Sequence, residues 1–150
     1  MDPDLDIPMM TYVEQLFLKA EAHWRLGQTA DAEMAYAAAI RTHMEQLSGN
    51  GELGTVIGAT EISDYIAANP LEGLGDLIEQ KYIAGFLLSA FESYNDYRRT
   101  GFPDDIQPAQ NSDVPVIPTR MIYTDTEINN NAANVPAGIT LESKVWWDGD

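Results

Sequence analysis

With 150 residues, 45% of them hydrophobic and 21% charged, the chain has ordinary globular usage. It is long enough for one domain that buries roughly two thirds of its unfolded surface. Lys plus Arg number 8 against 24 Asp plus Glu, a formal net charge of -16, which sets phosphate backbones and anionic lipid aside as partners. Cysteine is absent, so disulfides, thiolate metal sites and cysteine nucleophiles are excluded together.

No stretch approaches the roughly 18 apolar residues of a membrane span. Met1 is followed by Asp2, Asp4 and Asp6 rather than by a basic and then apolar leader, so no signal peptide or lipidation site is expected within these residues. This acidic lead, residues 1–8, ends at Pro8, after which a helix is expected. From Met9 the pattern is helical, with Leu16, Ala20, Trp24 and Gly27 at spacings of three and four. Gly27 closes the helix where a left-handed residue is wanted. A second helix opens near Thr29 or Asp31, either of which can cap its first amides. It runs through Ala32, Tyr36, Ala39, Ile40 and Met44 and stops at Ser48 to Gly51. A glycine-punctuated stretch holds a short helix, Glu61 to Asn69, ended by Pro70.

One long helix is predicted from about Leu74 to Arg99. Ile83, Phe86, Leu87, Ala90, Phe91 and Tyr94 form its apolar stripe, with Glu79, Gln80, Glu92, Ser93 and Asp96 facing elsewhere. Gly101 and Pro103 end it. Beyond lies a region rich in proline and asparagine without a sustained period, expected to be mostly ordered loop. Thr124 with Glu127 three residues on has the spacing of a capping box and predicts a short helix after Tyr123. The chain closes on Val145, Trp146 and Trp147. The reading is thus a mainly α chain, 1–150 as a single domain. It comprises a helical hairpin over 9–48 packed on a long helix within 61–101, then a long irregular region over 102–150.

The spacing Ala20, Ala32, Tyr36, Ala39 with Gly27 at the turn has the tetratricopeptide pattern, in which small side chains let two helices approach closely beside an aromatic wedge. The proline that usually closes the repeat is replaced by Met44, and a lone repeat must bury its face on something else. Such a hairpin alone points to a protein-interaction module that binds a peptide.

Other patterns carry less. Asp2, Asp4 and Asp6 alternate like a calcium loop, yet Ile7 stands where the loop needs glycine and Val13 where it needs glutamate. Gly49, Gly51 and Gly54 have the spacing of a dinucleotide turn but follow a helix rather than a strand, so a linker is the simpler reading. His23 and His43 are too far apart in sequence to form a helical metal pair. No Gly-x-Ser-x-Gly elbow is present, and the many carboxylates read as solvated acids rather than as a glycosidase pair. No catalytic residue, cofactor or metal site is therefore expected.

Arg98 and Arg99 sit where cations complement the end of the long helix, and Arg120 can bridge carbonyls of the loop. Trp146 and Trp147, with Tyr123, offer flat rings for the apolar face of a sugar. Adjacent tryptophans do not readily share one ligand, so at least one is expected to pack against the helices.

Taken together, four blocks resemble the C-terminal portion of the SusD/RagB family of outer-membrane nutrient-binding lipoproteins. They are TYVEQLFLKAEAHWRLG with DAEMAYAAAIRTHMEQ, then IEQKYIAGFLLSAFESYNDYRRTGFP, then IPTRMIYTDTEINNN, and finally KVWWD. Gln80 and Lys81, the run Tyr97 to Gly101, and Pro118, Arg120, Tyr123 and Glu127 all stand where the family pattern places them. The resemblance implies a mainly helical, non-catalytic protein. It would capture an oligosaccharide at the outer membrane of the cell surface and deliver it to a TonB-dependent transporter. Family members are longer and are tethered through a lipidated cysteine, so the chain is expected to be a C-terminal piece of a larger protein. Its exposed apolar faces favour self-association.

Overall fold

The computed structural model describes residues 8–49, 56–86, 88–111 and 114–147. Asp2, Asp4 and Asp6 of the calcium-like alternation, Gly51 and Gly54 of the dinucleotide-like spacing, and Leu87 of the apolar stripe lie outside them. Every regular element among the described residues is a helix. The chain divides into two units, Met1–Asp104 and Asp105–Asp150.

The first unit opens with α1, Tyr12–Arg25. It starts three residues later than the hydrophobic period suggests, because Thr11 is extended and its hydroxyl accepts the Glu14 amide at 3.1 Å. At the other end the amides of Gly27 and Gln28 donate back to the carbonyls of Trp24 and His23, at 3.0 and 2.9 Å. This is the paired closure of a Schellman turn, with Gly27 at φ 71°. The His23 ring nitrogen Nδ1 lies 2.6 Å from the Gln28 side-chain oxygen, which adds a polar clasp across the same turn. The chain then enters α2, Thr29–Gly49, whose first helical bond runs from the Ala32 amide to the Gln28 carbonyl.

Ala20, Ala32 and Ala39 are wholly buried where the two helices cross. Side chains of one carbon let the helix axes come close, and the remaining space is filled by Phe17 edge-on to Tyr36, ring centroids 6.3 Å apart at 72°. Two further helices cover this hairpin, α3 at Ala59–Ala68 and α4 at Leu74–Ala84. Leu77 and Ile78 of α4, both fully buried, join Val13, Leu16, Tyr36 and Ile40 in one core, with Leu71 leading in. The face that a lone hairpin leaves bare is thereby packed within the unit. Gly75 lets the ring of Phe102 lie against the α4 backbone, where an added Cβ would come within 3.0 Å of that ring.

The single long helix expected from Leu74 to Arg99 is instead two helices, α4 and then α5, Ala90–Thr100. At the break, Ser89 leaves helical geometry (φ -134°, ψ 46°) and its carbonyl receives both the amide and the hydroxyl of Ser93. Gly85 lies close against Ser89 and Ser93, with room for a Cβ only at 3.4 to 3.5 Å from them. The predicted apolar stripe does not form a buried face either. Ile83, Phe86, Ala90 and Phe91 are exposed. Gln80 and Asp96, expected to face outward, are buried together with Lys81.

For Lys81 and Asp96 the burial has an electrostatic cause. The Lys81 ammonium meets Asp96 Oδ2 at 2.8 Å, both side chains being more than nine-tenths buried. Asp96 Oδ1 accepts from Arg99 Nε and Nη2 at 2.9 and 2.7 Å. The Arg99 guanidinium then grips Glu21 of α1 with two parallel bonds, Nη2 to Oε2 at 2.6 Å and Nη1 to Oε1. Arg25 Nε completes the chain on Glu21 Oε1 at 2.8 Å. Five charges thus run from α1 through α5 to α4, and both oxygens of each carboxylate are occupied, the condition under which buried charge is tolerated. Burial alone would raise the Glu21 carboxyl, but the hydrogen bonds and charges of Arg99 and Arg25 outweigh it and hold it below its ordinary value. The Glu21 bond in turn raises Arg99.

The second unit carries one short helix, α6 at Asp125–Asn130, followed by a 3-10 turn over Ala132–Asn134. Thr124 caps α6 and its hydroxyl accepts the Glu127 amide at 3.4 Å, as the capping spacing predicts. Elsewhere loop pairings tie it together, notably the Thr119 amide and hydroxyl on the Leu141 carbonyl at 2.8 and 3.0 Å.

Two measurements check this account. Ala39→Leu forces three extra carbons into a closed helix crossing and should cost about 1–3 kcal/mol in urea unfolding; the exposed control Met34→Ala should stay within about 0.5 kcal/mol of the parent. For Glu21, the folded carboxyl lies below its unfolded value of 4.5, so the unfolded chain binds the extra proton. Its contribution is complete above that pH and is lost as pH falls through the lower folded value. Glu21→Gln should therefore destabilise the chain at neutral pH by about 3 kcal/mol and flatten the acid limb of its stability curve. An acid limb unchanged by the substitution would count against the ion chain.

Candidate functional site

Residues 119–123 are the most built-up segment of the second unit. Thr119 pins them to Leu141 and, through its hydroxyl, to the Ser143 carbonyl at 3.3 Å. Arg120 Nε donates to the Met121 carbonyl at 3.1 Å, which holds the guanidinium back along its own segment and 5.3 Å from the centre of the Tyr123 ring. That distance is within cation–π range. Tyr123 precedes the cap of α6, so the helix start fixes where its ring stands. Glu127, one turn into α6, accepts from the Asn131 side chain at 2.5 Å and so locks the far end of the same helix.

Tyr123 also lines an open depression of about 350 Å³, with Ile122, Asp125, Ile128, Val135 and Ile139 among its walls. The lining combines an aromatic ring, aliphatic side chains and a single carboxylate. Such a surface presents an apolar face for a ring to lie on and one acceptor at its edge, the make-up of a small-molecule site. Trp146 and Trp147 stand outside that lining. Trp146 is 95% exposed and Trp147 46%, so the first ring stands in solvent and the second is about half covered. Of the three sequence-predicted ligand residues, Tyr123 alone belongs to this depression.

The other singled-out residues are in the first unit and do structural duty. Ala20, Ala32, Tyr36 and Ala39 form the hairpin crossing and Gly27 its turn. Arg98 lies 5.4 Å from the Tyr94 ring centre, and Arg99 is the middle of the ion chain. His43 is partly buried, which lowers its basicity, and among the described residues no cluster of acids and histidines has the arrangement to hold a metal ion.

A second concavity was not foreseen. Tyr36, Asn69, Glu72, Asp76, Glu79 and Gln80 surround a cleft of about 370 Å³ in the first unit. The Tyr36 hydroxyl is buried and has no hydrogen-bond partner among the described residues. Burial, followed by the nearby charge of Asp76, raises its pKa well above the ordinary tyrosine value and keeps it protonated. Asp76 Oδ2 accepts the amides of Glu72 and Gly73 at 2.8 and 2.7 Å, ahead of α4. Gln80 Oε1 accepts from the Tyr65 hydroxyl at 3.1 Å. The signal for this cleft is the spacing of Asp76 and Glu79, three apart on α4, with Glu72 just ahead of the helix start.

A structure described as a chitin-binding protein is similar to this chain, with a TM-score of 0.68 and 28% identity. The similarity covers 93% of this chain and 33% of that one, so the chain spans about a third of the length of the protein it matches. No curated protein matches the chain. A family profile, SusD-like_2, described as "Starch-binding associating with outer membrane", matches residues 2–124. That span includes the hairpin, α4, the ion chain of α5, and the Arg120–Tyr123 pair, and the chain belongs to the SusD-like family.

Proposed function

We propose that the chain is a non-catalytic glycan-capture component of an outer-membrane nutrient-uptake system. It would hold an oligosaccharide by ring stacking and polar contacts, then pass it to a TonB-dependent transporter. The observation that carries this reading is the family match over residues 2–124, whose description joins starch binding to the outer membrane. The chitin-binding description of the similar structure supports a glycan as the ligand class. Tyr123 and Asp125 in the depression of the second unit, and the exposed rings of Trp146 and Trp147, are the side chains suited to a sugar face.

Binding rather than chemistry is favoured by the composition of that depression, in which Asp125 is the sole carboxylate, since acid–base hydrolysis of a glycoside calls for two. The competing reading, a peptide laid along the hairpin, loses support because Leu77 and Ile78 of α4 already fill the hairpin's apolar face.

Isothermal titration with soluble starch and chitin oligosaccharides tests the proposal. The chain should bind at least one of them, and Tyr123→Ala and Trp146→Ala should each weaken binding about tenfold. Trp146→Ala should leave the melting temperature unchanged, because its ring is almost fully in solvent. Absence of heat with both glycans would sink the reading.

A further inference from the structure

The carboxylate-lined cleft of the first unit has a composition unlike that of the depression around Tyr123. Glu72 and Glu79 stand exposed on its rim and Asp76 is half-buried between them. Ala68 and Pro70 are the apolar contributions to its lining. Tyr36, 2% exposed, also lines it, and its buried hydroxyl has no partner among the described residues. A buried hydroxyl left without a partner costs about 1–3 kcal/mol, and a ligand atom that bonds it recovers that penalty.

Three features define what fits. The carboxylates attract positive charge, in a chain whose net charge is already -16. A cation that carries its own hydrogens can donate to such carboxylates one by one, without the convergent ligand set that a metal ion needs. Apolar wall is scarce, which disfavours the long methylene stem of a lysine or arginine side chain, since such a stem seeks apolar cover. A polyhydroxylated ring bearing one ammonium meets all three conditions. Its ammonium supplies three donors to carboxylates, and its hydroxyls exchange bonds with Asn69, Gln80 and the Tyr36 oxygen. A cleft of about 370 Å³ is at the small end of ligand sites and suits one sugar ring rather than a chain of them.

We infer that the cleft bounded by Tyr36, Glu72, Asp76 and Glu79 is a binding site for a protonated amino sugar, separate from the neutral-sugar surface around Tyr123. The choice of a saccharide as carrier of the amine rests on the glycan reading above; the preference for a cation rests on the cleft alone. Asp76 contributes the free edge of its carboxylate, since Oδ2 is already engaged by two backbone amides. Glu79 closes over the ammonium from the exposed side of α4, and Tyr36 bonds a ring substituent from below.

The test is titration with a fully deacetylated glucosamine tetramer beside its N-acetylated counterpart, which has the same ring and no charge. The amine form should bind about tenfold more tightly. Tyr36→Phe keeps the ring packed on Phe17 and removes the hydroxyl, and Glu79→Gln changes an exposed side chain only. Each should reduce affinity for the amine tetramer about five- to tenfold, with the affinity for the neutral tetramer held; the melting temperature should be held in Glu79→Gln and raised in Tyr36→Phe, which removes a buried hydroxyl without a partner. Equal affinity for the two tetramers, or parental affinity in both variants, overturns the inference. So does binding of an oligolysine peptide in preference to the amine sugar. Neutral glycans bound through Tyr123 with no preference for the amine would overturn this inference alone and leave the capture reading standing, whereas amine-tetramer binding without neutral binding would uphold this inference and remove the Tyr123 surface as a neutral-glycan site.

Discussion

Arg99 is the residue on which the arrangement of the first unit turns. Its guanidinium lies between Glu21 of α1 and Asp96 of its own helix, and Asp96 in turn neutralises Lys81 of α4. A helix that buries no apolar side chain fully has little hydrophobic reason to stay on the hairpin. α5 is such a helix, since Phe91 points to solvent, Tyr94 and Tyr97 are only partly covered, and its buried member is Asp96. Charge pairing in a partly dry setting supplies the attachment instead. The pairing is also directional. A bidentate guanidinium fixes angle as well as distance, so α5 meets α1 in one register, where a greasy contact would tolerate several.

The hairpin works by the opposite principle. Ala20, Ala32 and Ala39 contribute almost no side-chain volume, and their value lies in what they allow, which is an interhelical approach close enough for Phe17 and Tyr36 to meet edge-on. α4 then seals the assembly with Leu77 and Ile78. Two attachment modes therefore meet on α4, which gives aliphatic side chains to the core of the hairpin and Lys81 to the ion chain. Gln80 faces a third direction, toward Tyr65 and the acidic cleft.

Much of this was legible in the sequence because it is local. The turn at Gly27, the end of α3 at Pro70 and the cap of α6 at Thr124 are all written within four or five consecutive residues, and each appears where that chemistry requires. The family resemblance was legible for a related reason, since it is carried by ordered blocks. The break between α4 and α5 was not. The spacing of Ile83, Phe86, Leu87, Ala90 and Phe91 continues a helical period straight across it, and period alone says nothing about whether a stripe meets a partner. Gly85 was the one local hint. The ion chain was harder still, because Glu21 and Arg99 are far apart in sequence. One trace existed: Glu21 falls on the face of α1 defined by Val13, Leu16, Phe17, Ala20 and Trp24, and a carboxylate at a core position asks for a cation from elsewhere. As for the candidate sites, Tyr123 could be chosen from its ring and its neighbours, whereas the acidic cleft depends on α2 and α4 coming together, which no single segment encodes.

Tyr36 ties these layers to one another in a way that bears on how the family can change. Its ring is a structural wedge between α1 and α2, while its hydroxyl is buried beside a polar cleft that the residue helps to line. Replacement by phenylalanine is nearly free for the wedge, and replacement by a smaller polar residue is ruinous for it. Drift at this position is thus channelled toward losing the hydroxyl before losing the ring. Relatives that keep tyrosine here while varying the surrounding surface would be retaining an oxygen that the fold itself can do without.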